Sequence, residues 1–229
     1  MDEFLKSYAD KYERWRNGGD FPVSSRIIPV NESVTGYQLI LPADQLLQIL
    51  KEARSFALAD CACRTHYRRC DKPVEVCLLV DDAADRSVER NMACRISLAE
   101  ATGVLEKADK HGLIHMTYYL PGRKINAVCS CCACCCHDLQ LLIQYGRTDL
   151  VAQSDYLAVT DPDQCTGCGK CTGRCAFGAR EIRDGTLRYD HGACLGCGLC
   201  VSVCPVKATR MLVRDAGIVQ RRDGADPEY

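Results

Sequence analysis

A cysteine pattern with the spacing C-x2-C-x2-C-x3-C occurs twice in the last third of the chain, beginning at Cys165 and again at Cys194. Three cysteines at this spacing bind one face of an iron–sulfur cubane from a tight loop, whereas the fourth cysteine ligates the cluster of the other copy. The pattern therefore predicts two [4Fe–4S] clusters with crossed ligands. The predicted ligand sets are Cys165, Cys168, Cys171 and Cys204 for cluster 1, and Cys194, Cys197, Cys200 and Cys175 for cluster 2.

Residues 156–214 resemble the bacterial ferredoxin domain that carries two [4Fe–4S] clusters, because all eight cysteines fall in place. Glycines such as Gly167 and Gly196 let the backbone turn close to the cluster sulfurs. One departure is Ala176, which stands where the second copy has Pro205. A zinc ribbon uses two C-x2-C pairs for each metal, so it would leave the third and fourth cysteines of each copy without a role. The resemblance implies a small dicluster ferredoxin fold.

Eight of the nineteen cysteines belong to this domain, which leaves eleven elsewhere. Cys94 stands alone and is predicted to be a small buried side chain. Ten reduced thiols without a metal would be prone to oxidation, so the sequence predicts an additional metal site, expected to be a third iron–sulfur cluster. Either of two clumps could supply four ligands, or both could close on one site. The clumps are Cys61, Cys63, Cys70 and Cys77, and Cys129, Cys131, Cys132, Cys134, Cys135 and Cys136.

A C-x-C-R start followed by a C-x-C-C-x-C-C-C run resembles an N-terminal domain attached to some ferredoxin-like proteins of anaerobes. This resemblance implies no activity. Arg64 lies next to Cys63, and a helix is expected to start after Cys136; both features favour thiolates. Among the histidines near the clumps, His137 is the one predicted to act as a metal ligand or a proton carrier.

Hydrophobic periodicity and turn residues predict the elements that position these cysteines. Ser97 and Glu100 form a capping box at the start of one helix. Residues 27–30 and 37–41 are expected to form short strands or an arm that lies over the body of the protein. The predicted helices cover residues 2–16, 43–58, 82–91, 97–111 and 138–145, a strand covers 73–80, and a β-hairpin joins 113–119 to 124–128.

The predicted fold class is α+β, with a Cys-rich, helical, winged-helix-like N-terminal domain at residues 1–150 that contains the hairpin. A dicluster ferredoxin domain follows at residues 156–214, after a linker at 147–155. Residues 215–229 are predicted to be a polar tail.

Composition excludes several classes of function. Hydrophobic residues make up 47% of the chain and charged residues 26%, as in ordinary globular proteins. A formal net charge of −1 gives no electrostatic case for nucleic-acid binding. Neither a dinucleotide-binding nor a P-loop glycine motif is present, so no nucleotide is expected. No apolar run of about 20 residues predicts a membrane span, and no signal peptide is recognised, so we expect a cytoplasmic protein of an anaerobic or microaerobic cell.

Three functions remain open from the sequence. The first is an electron-transfer protein that relays single electrons between redox partner proteins. The second is a reductase subunit with a catalytic iron–sulfur cluster among the N-terminal thiols. The third is a redox-sensing regulator that binds DNA, but the helix at 97–111 lacks the clustered positive charge that phosphate binding requires.

Overall fold

The computed structural model describes residues 1–18, 25–28, 50–119 and 125–214, with the backbone alone for residues 25–28 and 119. The strand expected at 37–41, residues 43–49 of a predicted helix and the tail at 215–229 lie outside the described residues. In the described ranges the chain combines helices with one seven-stranded sheet and two two-stranded sheets.

The helices and strands are numbered in chain order. The helices are α1 (Glu3–Asn17), α2 (Ala62–Tyr67), α3 (Asp81–Glu89), α4 (Leu98–Lys110), α5 (His137–Tyr145), α6 (Lys170–Arg174) and α7 (Leu199–Ser202). The strands are β1 (Ser25–Ile28), β2 (Phe56–Asp60), β3 (Glu75–Val80), β4 (Cys94–Ile96), β5 (Ile114–Tyr119), β6 (Ile125–Cys131), β7 (Val151–Ala152), β8 (Tyr156–Thr160), β9 (Arg180–Arg183), β10 (Thr186–Tyr189) and β11 (Thr209–Val213).

The ends of three helices follow from their capping residues. The Asp2 side chain accepts a hydrogen bond from the Leu5 amide at 2.9 Å and opens α1. The predicted capping box of Ser97 and Glu100 is present at the start of α4. Gly146, at φ +65°, ends α5 in the left-handed conformation that glycine adopts without strain. The signals at Ser97 and Gly146 are local, which is why the sequence was enough to predict them, whereas the Asp2 cap was not predicted.

The seven-stranded sheet has the order β4-β2-β3-β6-β5-β1-β7. Its described neighbours are antiparallel except β1 and β7, which run parallel. The predicted hairpin is confirmed as β5 and β6, in which Met116 faces Cys129 and Ile114 faces Cys131. Because β6 continues through Cys131, the first thiols of the cysteine run lie on a strand at the centre of the sheet.

The prediction of a helix at 43–58 is wrong at its C-terminal end. Residues 50–52 are helical, but Phe56–Asp60 form β2, paired with both β3 and β4. Pairing on both sides buries Phe56 and Ala57, and this tertiary contact outweighs the helix propensity of the alanines and leucines. The chain therefore reaches Cys61 from a strand rather than a helix. The structure does not show a winged helix, because the hairpin belongs to a large sheet.

Two further predictions differ from the structure. Residues 147–155, predicted to be a linker, contain β7 and bury Leu150 and Val151 at 3% and 4% exposure. Cys94, predicted to be buried, is exposed. It lies on β4, which is an edge strand, so one side of that strand has no neighbour in the described sheet and its side chains reach solvent.

One hydrophobic core joins the N-terminal sheet to the C-terminal residues. Leu5, Ala9 and Tyr12 of α1 pack in it against α5 and the central strands. The same core contains Cys197 and Leu199 from the second cysteine motif. The two halves thus share buried apolar surface, which favours a fixed relative position.

Candidate metal centres

The four cysteines predicted to hold cluster 1 line one cavity. Cys165, Cys168, Cys171 and Cys204 surround it together with Gly167 and Gly169 and the apolar side chains of Ile182, Leu187 and Val206. A cavity with four thiols and several apolar side chains fits a cubane, which bonds to the cysteine sulfurs. Cys168 is exposed and the other three are partly buried, so this centre lies close to solvent.

The predicted ligands of cluster 2 lie deeper. Cys194, Cys197 and Cys200 are each 8% exposed. Burial raises the pKa of Cys197, and the neighbouring Cys200, Cys194 and Cys175 thiolates raise it further. Cys175 therefore lies beside the motif that follows it in sequence, as a crossed ligand would have to.

Backbone amides approach the sulfurs of both sets. The Ala208 amide donates to Cys204 Sγ at 3.2 Å, and the Leu199 amide hydrogen-bonds Cys197. Such donors stabilise thiolate charge and tune the reduction potential of a bound cluster. Gly196 lets the loop of the second motif approach β8, because at φ +74° an added Cβ would lie 2.0 Å from the Tyr156 carbonyl oxygen.

A buried arginine separates the two ferredoxin sets. Arg180 is 5% exposed and donates to Thr160 Oγ1 at 2.7 Å and to the Ala158 carbonyl at 3.2 Å. Its guanidinium also hydrogen-bonds Cys171 of the first set and lies beside Cys200 of the second. A cation fixed between two groups of thiolates offsets the cost of burying their negative charge.

The ten N-terminal thiols divide into two groups in space. Cys70 Sγ lies 3.9 Å from Cys132 Sγ and 4.0 Å from Cys135 Sγ. Together with Cys134 they form a group whose four sulfurs all lie within 4.8 Å of one another. We name these four cysteines the compact set. Among the described residues, no other group of potential metal ligands gathers this tightly.

The other six thiols form a ring, which we name the thiol ring. Side-chain interactions link its members in the order Cys61, Cys63, Cys136, Cys131, Cys129 and Cys77. The charges of Cys61 and Cys63 in turn act on Cys77, which closes the ring. It draws members from both clumps, so the hairpin brings the second clump back to the first.

Thiols of the ring influence each other's ionisation. Hydrogen bonding with Cys131 and Cys63 lowers the pKa of Cys136 to about 7. Hydrogen bonding with Cys131 and Cys77 holds the pKa of Cys129 well below its usual value. Cys129 and Cys136 thus favour the thiolate, the form that binds metal. Hydrogen bonds within the ring raise the pKa of the other four thiols, Cys61, Cys63, Cys77 and Cys131.

A second buried arginine separates the compact set from the ring. Arg64 is 1% exposed, and its guanidinium donates to the carbonyls of Pro73 and Ser130. Its Nε lies 3.5 Å from Cys132 Sγ of the compact set, and the charges of Cys61 and Cys131 in the ring act on it. The predicted role of this arginine beside thiolates agrees with its contacts.

His137 joins the ring to α1. Its Nδ1 lies 2.8 Å from Cys63 Sγ, and its Nε2 lies 2.6 Å from the Tyr12 hydroxyl. The Tyr8 ring stacks on the imidazole at a centroid distance of 3.6 Å. Both ring nitrogens therefore have partners, so the geometry favours a hydrogen-bond carrier over a metal ligand.

Sequence reasoning missed three residues of these centres. The sequence predicts a helix at 2–16 whose stripe of aromatic side chains has no assigned role in a site, yet Tyr8 and Tyr12 hold His137 beside the thiols. The stripe itself was the available signal. Arg180 gave no signal, because its partners come from distant parts of the chain.

Comparison with known families agrees with the C-terminal centres. Residues 158–211 match the family model of the 4Fe-4S dicluster domain. The match leaves the ten clustered N-terminal thiols outside it, and no curated protein matches the chain. Among the described residues no helix is long and apolar enough to cross a bilayer. The C-terminal part of the chain is similar to a 4Fe-4S dicluster domain, and this together with the many cysteines supports an iron–sulfur electron-transfer role.

Proposed function

We propose that the protein relays single electrons between redox partner proteins through two [4Fe–4S] clusters and a third iron–sulfur cluster held by the thiol ring. The observation that carries the proposal is the match to a dicluster domain over residues 158–211, in which four predicted ligands line one cavity. The proposal assigns the third cluster to a domain at residues 1–150 and the two [4Fe–4S] clusters to a domain at 156–214. Residues 215–229 form a tail in this proposal.

A gradient of exposure supports a direction for the relay. Cys168 of the first set is exposed, the cysteines that lead the second motif are buried, and ring members Cys131 and Cys136 share a core with Cys197. A partner would dock near Cys168, and the path would run inward through the second set to the ring. Sites that share a packed core keep a fixed separation, which electron transfer requires.

The residues have distinct tasks in this proposal. A bound cubane supplies one-electron chemistry at a potential that its surroundings set. The cysteine sulfurs hold the irons, the Ala208 and Leu199 amides stabilise added negative charge, and Arg180 offsets it. Apolar side chains such as Ile182 exclude water from the first cavity. We propose protein partners, rather than nucleic acid or nucleotides, and a reducing cytoplasm in which all nineteen cysteines stay free of disulfides.

The test starts with the iron and sulfide content of the full-length protein purified without oxygen. Two cubanes account for about eight irons, and we expect more than that. Cys63→Ser with Cys136→Ser should remove the excess and leave the dicluster EPR signals unchanged. Cys94→Ser, at an exposed thiol away from both sets, is the matched control and should keep the full content.

A kinetic experiment then tests the relay. In the native protein a one-electron donor should reduce all clusters in rapid succession. Cys194→Ser, which disrupts the middle of the path, should slow reduction of the N-terminal cluster at least tenfold. Equal rates in this variant and in Cys94→Ser would contradict the relay, and a content of only eight irons would remove the third cluster from it.

A second candidate function is a reductase subunit with its catalytic cluster at the thiol ring. The observation that favours it is His137, which connects Tyr12 to Cys63 by two short contacts and so places a proton carrier beside the thiols. The signature of this function is an iron with a vacant or non-cysteine position. Carbon monoxide or cyanide added to the reduced protein should then change the EPR signal of the N-terminal cluster alone, whereas an electron relay would leave it unchanged.

A further inference from the structure

We propose that the compact set, Cys70, Cys132, Cys134 and Cys135, binds a single zinc ion at a site separate from every iron–sulfur cluster. This proposal is independent of the electron relay, because zinc has no redox chemistry and the relay does not require the compact set. It divides the ten N-terminal thiols between a structural ion and the thiol ring.

The sulfur–sulfur distances carry the argument. In a tetrahedral site a Zn–S bond of about 2.3 Å places the sulfurs about 3.8 Å apart. Cys70 Sγ lies 3.9 Å from Cys132 Sγ and 4.0 Å from Cys135 Sγ, and no pair in the set exceeds 4.8 Å. A cubane has four irons and four sulfides between its ligands, so its cysteine sulfurs must stand farther apart.

The eight ferredoxin cysteines provide an internal comparison. They match a family of 4Fe-4S domains, and among the described residues they do not gather within the 4.8 Å that unites the compact set. The four around the first cavity enclose open space instead. The same chain therefore has sulfurs that do not gather within 4.8 Å where cubanes are expected, and spacing close to tetrahedral at the compact set.

The local backbone also suits zinc. Cys132 and Cys135 have the C-x2-C separation that is common among zinc ligands. A tight turn joins them, in which the Cys135 and Cys136 amides donate to the Cys132 carbonyl at 3.2 and 2.9 Å. Cys70 approaches from the loop after α2, so a bound ion would tie that loop to the cysteine run.

Hydrogen-bond donors around the set stabilise its thiolates. The Lys72 amide hydrogen-bonds Cys70, the Arg69 amide hydrogen-bonds Cys135, and Arg64 Nε lies 3.5 Å from Cys132 Sγ. Four thiolates around one Zn²⁺ carry a net charge of −2, and the buried guanidinium of Arg64 offsets part of it. Such outer partners orient ligands and raise metal affinity.

The experiment uses the full-length protein, produced with iron and zinc both supplied and purified without oxygen. Elemental analysis should give one zinc for each chain. X-ray absorption at the zinc edge should give four sulfur neighbours at about 2.3 Å and no iron neighbour. Cys135→Ser should lose the zinc and keep the excess iron, while Cys94→Ser should keep both.

The spectrum of the native protein needs no variant, so the proposal remains testable if Cys135→Ser fails to fold. Zinc far below one for each chain, or zinc bound by nitrogen and oxygen as an adventitious surface ion, would overturn the proposal. Loss of iron and sulfide rather than zinc in Cys135→Ser would assign the compact set to a cluster. A mononuclear iron in the same four thiols would overturn the choice of ion.

Discussion

The C-terminal and N-terminal cysteines differ in how their spacing along the chain relates to their spacing in space. The ferredoxin cysteines follow a regular sequence pattern, and one set of four surrounds open space. The N-terminal cysteines follow no single pattern, and four of them gather within 4.8 Å. A regular pattern predicts a type of centre, whereas a cluster of the same residue predicts a centre without its type.

The distance between sulfurs therefore distinguishes centres that composition cannot. Both regions bury an arginine beside thiols and hydrogen-bond amides to sulfur. Their shared chemistry is the stabilisation of thiolates, so it does not distinguish iron–sulfur clusters from zinc. The distance between the sulfurs does distinguish them, because a single zinc ion holds its ligands closer together than a cubane does.

The largest expected effect tests the crossed ligands on the C-terminal side of this comparison. Cys175→Ser should remove the EPR signal of the cluster at Cys194, Cys197 and Cys200, and Cys204→Ser should remove the other. If Cys175→Ser instead removed the cluster predicted at Cys165, Cys168 and Cys171, each motif would hold its own cluster and the crossed pattern would be wrong. Iron analysis of both variants provides the measurement, with about four irons lost in each.

The buried arginines allow the same test in both regions. Arg64→Met should destabilise the protein by about 3–5 kcal/mol, because thiolates would remain buried without their cation. Arg180→Met should lower the free energy of unfolding by a similar amount. It should change the EPR signals of the dicluster domain and leave the N-terminal metal content unchanged. Chemical denaturation under anaerobic conditions measures the free energy of unfolding.

Arg68→Met is the control for these variants, because Arg68 is exposed. It should change the free energy of unfolding by less than about 0.5 kcal/mol. An equally small change in Arg64→Met would mean that the neighbouring thiols are protonated and hold no metal.

Gly196→Ala sharpens the argument that close backbone approach shapes the second C-terminal centre. An added Cβ would lie 2.0 Å from the Tyr156 carbonyl oxygen, so overpacking and left-handed strain should together cost about 3 kcal/mol. Gly178→Ala is the matched control, since Gly178 has a similar φ of +68° but nothing within 4 Å of the added Cβ. It should cost about 1 kcal/mol. Equal losses of unfolding free energy in the two variants would remove the steric explanation.

The smallest expected effect concerns the contact between α1 and the thiol ring. Tyr12→Phe removes the hydroxyl that lies 2.6 Å from His137 Nε2 and should cost about 1 kcal/mol of unfolding free energy. Tyr8→Phe keeps the ring that stacks on His137 and should cost less. A shift in the midpoint potential of the N-terminal cluster in Tyr12→Phe alone would connect this hydrogen bond to the electron chemistry.

The sequence predicted those features that depend on nearby residues. The capping box of Ser97 and Glu100, the end of α5 at Gly146 and the hairpin before the cysteine run were all confirmed. The strand at Phe56–Asp60 was missed, because its stability comes from pairing with β3 and β4, which lie later in the chain. The prediction that Cys94 is buried was wrong for a related reason. Whether a strand lies at the edge of a sheet depends on the order of all its strands.

The candidate centres show the same division. Local spacing predicts the eight ferredoxin ligands, and composition predicts additional metal; both stay predictions. The separation of the N-terminal thiols into a compact set and a ring was beyond the sequence, because Cys70 joins the second clump and Cys136 joins the first. Only the path of the chain through the sheet decides which thiols meet.

The contacts of Arg180 have a consequence for the potential at which the protein delivers electrons. Its guanidinium hydrogen-bonds Cys171, and the charge of Cys200 acts on it, so it interacts with both predicted C-terminal ligand sets. A fixed positive charge in a low-dielectric interior stabilises an electron added to either neighbouring centre. The midpoint potentials of both predicted clusters should therefore be higher than in Arg180→Met, so that the native protein gives up its electrons only to partners of correspondingly higher potential.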